Sequence, residues 1–92
     1  MLFAVTCVDK PNHLEVRLAN RSAHLEFLKG ILDQLVAAGP TFADDGTSMN
    51  GSLVIADFPD RAAAEAYFAN DPYAKADLFE SVTIRAYKKV LP

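Results

Sequence analysis

The stretch Ser52-Leu53-Val54-Ile55-Ala56-Asp57-Phe58 decides the fold, because it predicts the clearest β-strand of the chain. Successive side chains of a strand point to opposite faces of a sheet. Leu53 and Ile55 therefore share one face, and Val54 and Ala56 share the other. Since both faces are apolar, both need to be covered, and the strand belongs inside a packed sheet.

The residues on either side of this strand predict a weak strand before it and a helix and a strand after it. Residues 41–43 are a poor strand candidate, and residues 44–51 are polar and predict a loop or wide hairpin. Pro59-Asp60 begins a helix over residues 62–69, with the aspartate as N-cap near the positive end of the helix dipole. Residues 81–90, with apolar residues at alternate positions, predict the last strand.

The N-terminal third predicts a strand followed by a longer helix. Residues 2–8 are an apolar run rich in strand-favouring residues, and residues 13–20 are a bridging stretch, either loop or a short helical turn. Residues 22–38 predict a helix, because glycine and proline follow them and because leucines recur at spacings of three and four. These leucines are Leu25, Leu28, Leu32 and Leu35.

The order strand, helix, strand, strand, helix, strand predicts an α+β, ferredoxin-like βαββαβ sandwich, as a single domain over residues 1–92. Both helices then pack on one face of an antiparallel sheet. The uncovered face carries side chains such as Ile55 or Val54, and Tyr87. We expect two copies to pack these faces together across a two-fold axis as a homodimer.

Composition narrows the classes of partner. The chain has 51% hydrophobic residues. This fraction is high for a small monomer and ordinary for a subunit that buries a second face against a partner. Nine Lys and Arg against twelve Asp and Glu give a net charge of −3, which argues against nucleic-acid binding. No apolar stretch approaches the roughly 20 residues of a membrane span, and no signal peptide is recognisable, so we expect a cytoplasmic protein without a membrane partner.

His24 is the first candidate for chemistry. It lies one turn before Leu28 and near the start of the predicted helix, where the positive dipole end disfavours the imidazolium. A neutral imidazole beside a carboxylate can act as a general base. The alternative is a half-buried histidine that makes a structural polar contact, and the residues alone favour this alternative.

Asp71 is the second candidate. Pro72 restricts it to an extended backbone, which holds the carboxylate in one direction. The alternative is a helix stop in which Asp71 accepts hydrogen bonds from local amides. Four further side chains are able to orient an anionic or phenolic ligand, or else are surface groups: Arg17, Arg21, Ser52 and Tyr73.

The sequence lacks the motifs that are typical of metal sites, phosphate-binding loops and serine nucleophiles. The spacing of His13 and His24 fits no common metal site, and Cys7 is the one cysteine, expected to be a small buried hydrophobe. There is no glycine-rich phosphate loop. We therefore expect no metal and no cofactor.

Five segments together resemble the YciI-like (YCII-related) family of small bacterial proteins. They are Arg21-Ser22-Ala23-His24-Leu25, Ala38-Gly39-Pro40, Gly51-Ser52, Asp71-Pro72-Tyr73-Ala74-Lys75-Ala76-Asp77-Leu78-Phe79-Glu80 and Val82-Thr83-Ile84-Arg85-Ala86-Tyr87-Lys88-Lys89. The resemblance spans nearly the whole chain. It implies a ferredoxin-like fold that dimerises through its sheets, as in dimeric α/β-barrel proteins.

The resemblance also implies a site. The family's histidine and the aspartate of its Asp-Pro-Tyr motif are proposed as a catalytic pair, and they match His24 and Asp71. A relative in aromatic degradation eliminates chloride from a chlorinated hydroquinone. We therefore expect a cofactor-independent lyase or isomerase for a small aromatic or lactone substrate, with Arg17, Ser52 and Tyr73 lining the pocket. The alternative is a non-catalytic module that binds a small molecule or another protein, and the relative position of His24 and Asp71 distinguishes the two.

Overall fold

The computed structural model describes residues 1–92 and contains one four-stranded antiparallel sheet with strand order β2-β3-β1-β4. The strands are β1 (Leu2–Asp9), β2 (Leu35–Phe42), β3 (Met49–Asp57) and β4 (Phe79–Tyr87). The helices are α1 (Leu14–Lys29), α2 (Arg61–Phe68) and the short α3 (Pro72–Lys75), with a 3₁₀ turn at Leu32–Gln34. None of these helices combines the length and the apolar character needed to cross a membrane. The predicted ferredoxin-like α+β fold is confirmed.

The core lies between the sheet and the helices. Val5 of β1 pairs with Val54 of β3 and with Ile84 of β4, and side chains opposite each other in a sheet share a face. This covered face packs against apolar residues of the helices, including Leu28 of α1 and Phe68 of α2. The buried core residues are Phe3, Val5, Cys7, Leu28, Ile31, Val54, Ala56, Phe58, Ala64 and Phe68.

The opposite face of the sheet is open. Its register follows from the same pairings, because Ala4 pairs with Ile55 and Leu2 pairs with Tyr87. The apolar residues of this open face include Leu2, Ala4, Val8, Ala37, Leu53, Ile55 and Tyr87. Of the two residues predicted as examples, Ile55 lies on the open face and Val54 lies under the helices.

The predicted bounds of the first helix are wrong at both ends. Helix α1 begins at Leu14, inside the stretch that we predicted as loop or short turn, and it ends before Gly30. Its N-cap, His13, makes no side-chain capping hydrogen bond, so the usual sequence signal for a helix start is missing. Beyond Gly30 the leucine spacing continues by coincidence through the 3₁₀ turn and into a strand.

Strand β2 replaces the C-terminal part of that predicted helix. Leu35 pairs with Ala56 and Pro40 pairs with Ser52, so the predicted glycine–proline stop lies within the strand. Proline is tolerated because β2 is an edge strand, with β3 as its one neighbour. Pairing with β3 therefore outweighs the helical propensity of these residues.

The other elements differ from prediction mainly in their bounds. Strand β3 begins at Met49, and β4 covers Phe79–Tyr87 in place of residues 81–90. Asp60 is the N-cap of α2 as predicted, since its side chain accepts a hydrogen bond from the Ala63 amide. Helix α3 was not predicted, and Asp71 is its N-cap.

Candidate active site

One side of α1 forms a wall of the candidate site. Arg17, Arg21, His24 and Leu28 follow one another at spacings of four, three and four residues, so they lie along the same face of the helix. Arg17, His24 and Leu28 are buried, although α1 carries many exposed side chains. A buried arginine and a buried histidine on one helix face indicate a polar site beneath the helix.

His24 and Asp71 meet although 47 residues separate them in the chain. The Nδ1 atom of His24 lies 2.9 Å from Oδ1 of Asp71, and both side chains are buried. The same carboxylate oxygen accepts a hydrogen bond from the backbone amide of Tyr73. Asp71 has an extended backbone, with φ −58° and ψ 128°, as the following proline predicts. Asp71 thus accepts the local hydrogen bond from the backbone amide of Tyr73 and also contacts His24.

The contact with Asp71 fixes which nitrogen of His24 carries a proton. An ionised carboxylate has no hydrogen to donate, so Nδ1–H must be the donor in this hydrogen bond. In the neutral ring the lone pair is then on Nε2, and no group of the protein forms a hydrogen bond with Nε2. The geometry is that of an imidazole oriented by a carboxylate, with its second nitrogen available.

Arg17 is held by a second carboxylate. Its Nε and Nη2 atoms donate to the two oxygens of Asp9 at 2.7 and 2.8 Å, and Nη2 also donates to Oγ of Ser52 at 2.9 Å. Burial acts to lower the pKa of Arg17, but the hydrogen bonds and charge of Asp9 outweigh it, and the pKa is raised. Arg17 therefore stays charged inside the protein.

The ring of Tyr73 contacts both His24 and Arg17. Its ring stacks on His24 with a centroid distance of 4.0 Å and an interplanar angle of 16°. The guanidinium carbon of Arg17 lies 4.6 Å from the same ring centroid. Burial raises the pKa of Tyr73, although the nearby charge of Arg17 acts to lower it. The phenol consequently keeps its proton at neutral pH and can donate a hydrogen bond to a ligand.

A cavity of about 230 Å³ lies beside these groups. Its polar wall includes Arg17, Arg21, His24, Lys29, Ser52 and Tyr73. Its apolar wall is supplied by leucines of α1 and the 3₁₀ turn and by residues of β2: Leu25, Leu28, Leu32, Leu35, Ala38, Gly39 and Pro40. The space is smaller than the 300–1,000 Å³ typical of sites for drug-sized ligands, so it suits a single ring or a short chain.

The sequence comparisons identify the family of this chain. The family model of the YCII-related domain matches residues 1–88. The protein YciI of Escherichia coli O6:H1 is 39% identical over 97 residues, which cover 98% of this chain and 99% of that protein. The chain belongs to the YCII-related family. An uncharacterised protein of Haemophilus influenzae is 38% identical over the same shares of both chains.

A solved structure extends the comparison to an enzyme. The dehydrochlorinase of 5-chloro-2-hydroxyhydroquinone from Burkholderia phenoliruptrix, TftG, superimposes on this YCII-related protein with a TM-score of 0.89. The two sequences are 32% identical, and the match covers 96% of this chain and 94% of TftG. TftG was determined in complex with 2,5-dihydroxybenzoquinone.

In this YCII-related protein, the six residues singled out from the sequence lie together. Five of them line the cavity: Arg17, Arg21, His24, Ser52 and Tyr73. Asp71 lies behind the histidine and does not line it. Their roles in binding and catalysis stay predictions. One argument from the sequence is wrong: His24 lies in the middle of α1, so the dipole at the helix start does not act on it.

Sequence reasoning missed Asp9 and the residues of β2. Asp9 directly follows the first apolar run, outside the predicted strand, yet it lies at the end of β1 and binds Arg17. The β2 residues were missed because they were assigned to a helix. A buried arginine needs a carboxylate partner, but nothing in the local sequence indicates which carboxylate it is.

Proposed function

We propose that this protein is a cofactor-independent, cytoplasmic lyase or isomerase in which His24 and Asp71 transfer a proton of a small aromatic or lactone substrate. The observation that carries the proposal is the orientation of His24. Its Nδ1 atom is bound to Asp71 at 2.9 Å, and its Nε2 atom has no partner in the protein, in a residue that lines the cavity. An imidazole held in this way can accept a proton from a ligand at Nε2.

The neighbouring groups suit the charge that such a step leaves behind. When Nε2 takes the proton, the electron pair stays on the substrate, and the imidazolium is stabilised by the Asp71 carboxylate. Arg17 is positively charged, and Ser52 accepts a hydrogen bond from it, which leaves the serine hydroxyl proton to donate to an oxygen of the substrate. In a lyase the electron pair then expels a leaving group, and in an isomerase a proton returns to another atom.

The similarity to TftG supports an elimination as the reaction of this protein. A dehydrochlorinase removes a proton and chloride from its substrate, which requires a base and a site for the charge left on the ring. This chain shares the family and the fold of TftG at 32% identity. A ring with a few oxygen substituents also fits a cavity of about 230 Å³.

The experiment is an activity panel with two variants. Wild type is assayed for chloride release from 5-chloro-2-hydroxyhydroquinone and for isomerisation of small unsaturated lactones. We expect turnover of at least one of these compounds and a loss of about 10²–10⁴-fold in kcat for His24→Gln. Leu18→Gln, on an exposed position of the same helix, is the control and keeps full activity.

Two outcomes contradict the proposal. Unchanged kcat in His24→Gln would exclude His24 as the base. Binding of ring compounds by wild type without turnover of any of them would favour the non-catalytic binding module.

We also propose that the protein is a homodimer that packs through the open face of the sheet. The proposal is supported by the row of apolar side chains on that face, of which Leu53 is 40% exposed and Tyr87 is 38% exposed. Contiguous exposed apolar surface of this kind is typical of an interface.

A further inference from the structure

The charged residues around the cavity are all of one sign. Three of its lining residues are cationic, namely Arg17, Arg21 and Lys29, and no lining residue is acidic. A cavity lined by positive charge attracts anions. Arg17 is buried, whereas Arg21 and Lys29 are exposed to solvent. A cation is available to a ligand if its charge is not already paired with a carboxylate of the protein.

Two of the three cations already have a carboxylate partner in the protein. The bidentate contact with Asp9 occupies two of the donors of Arg17, and a third donor contact goes to Ser52. Lys29 is paired with Glu26 at 3.2 Å in an exposed contact. Arg21 makes no ion pair and no side-chain hydrogen bond, although its charge is near enough to act on the pKa of Tyr73.

The position of Arg21 relative to His24 suits a ligand with two functional ends. Residues three apart on a helix face have Cβ atoms about 5–6 Å apart, which is close to the width of one ring. A guanidinium binds a carboxylate or a similar planar anion through two parallel hydrogen bonds. The wall formed by Leu35, Ala38 and Pro40 gives apolar surface to the ring between the two ends.

We propose that Arg21 binds the negative charge of the ligand, and that the ligand is therefore a small one-ring anion, such as an aromatic carboxylate. The charge lies on Arg21 while a protonated oxygen or carbon of the ring lies at Nε2 of His24. This inference rests on the proposed function, because it concerns the same cavity and names the class of its substrate.

The test compares an anion with its neutral analogue. The probes are 4-hydroxybenzoate and 4-hydroxybenzamide, which have the same shape and differ in charge, and their dissociation constants are measured by NMR titration at low salt. We expect wild type to bind the benzoate about tenfold more tightly than the amide, since a charged hydrogen bond at a partly exposed site contributes on the order of 1.4 kcal/mol. In Arg21→Gln the two probes bind equally.

Controls separate Arg21 from general electrostatics. Arg61→Gln removes the same charge on α2, away from the cavity, and keeps the tenfold preference. His24→Gln also keeps it, because anion binding does not need the base, so failure of the proposed chemistry leaves this result standing. The inference is overturned if wild type binds both probes equally, if it binds no benzoate at about 10 mM, or if Lys29→Gln in place of Arg21→Gln removes the preference.

Discussion

The two ring nitrogens of His24 have different surroundings, and this difference defines what the residue can do. Nδ1 contacts the carboxylate of Asp71, and the stacked ring of Tyr73 limits rotation of the imidazole. Tyr73 is in turn fixed by its own amide, which donates to Asp71. One carboxylate therefore orients both rings, and it does so from outside the cavity.

Replacement of Asp71 by asparagine should change the tautomer of His24. In wild type the carboxylate can only accept a hydrogen bond, so we expect the neutral ring to carry its proton on Nδ1. An amide can either donate or accept, so Asp71→Asn should give a mixture of the two tautomers. The ¹⁵N chemical shifts of the two ring nitrogens report the tautomer directly.

Asp44→Asn provides the matched control for this experiment, because Asp44 is exposed in the loop between β2 and β3 and does not line the cavity. It should leave the ¹⁵N shifts of the ring as they are in wild type. A wild-type ring protonated on Nε2 would contradict the assignment of Nε2 as the base.

The close approach of β1, β2 and β3 depends on one glycine. A Cβ atom at Gly51 would overlap the carbonyl oxygen of Cys7 and would lie 2.7 Å from Oγ1 of Thr41. Gly51→Ala should therefore push the strands apart and lower the free energy of unfolding by about 1–3 kcal/mol. Urea unfolding measures the effect.

Gly39 offers the comparison for this substitution, because it lies in β2 and a Cβ atom there meets nothing within 4 Å. Gly39→Ala should change stability by less than about 1 kcal/mol, in either direction. Equal losses in the two variants would show that the space at Gly51 is not the cause.

Elements were predictable where a short stretch carries its own signal. Strand β3 is apolar on both faces, and Asp60 caps α2 through a contact three residues away. The start of α1 has no capping side chain, so the sequence gives no local sign of it. Strand β2 follows from pairing with β3, which is a tertiary contact and outweighs the helical spacing of its leucines.

The individual residues of the candidate site were singled out from the sequence, but the pairing of His24 with Asp71 was predictable only through the family resemblance. His24 and Asp71 are 47 residues apart, and their own surroundings in the sequence favoured structural roles for both. Helix periodicity does place Arg17 and His24 on one face, but only once the helix is known to begin before Arg17. The partnership of Arg17 with Asp9 requires the turn after β1, whose Asn12 adopts a positive φ of 60°.

The sheet gives the molecule two unlike sides. The helices and the cavity occupy one side, and the apolar open face is the other. A chain of 92 residues buries a small core, so burial of the open face in the proposed dimer would add stability that the helices alone do not supply. A dimer that packs through the open face would also leave the cavity accessible, because the cavity lies on the helical side.

A charge in the middle of the open face should separate the proposed dimer. Leu53 lies on β3, between the neighbouring strands, and Leu53→Glu would place a carboxylate opposite its own copy near the two-fold axis, without a partner. We expect wild type to sediment at about twice the 10.0 kDa of one chain, and Leu53→Glu to sediment as a monomer. Leu18→Glu alters a leucine of α1 that is 53% exposed on the helical side, and it should leave the dimer intact. Wild type that sediments as a monomer at micromolar concentration would exclude the dimer.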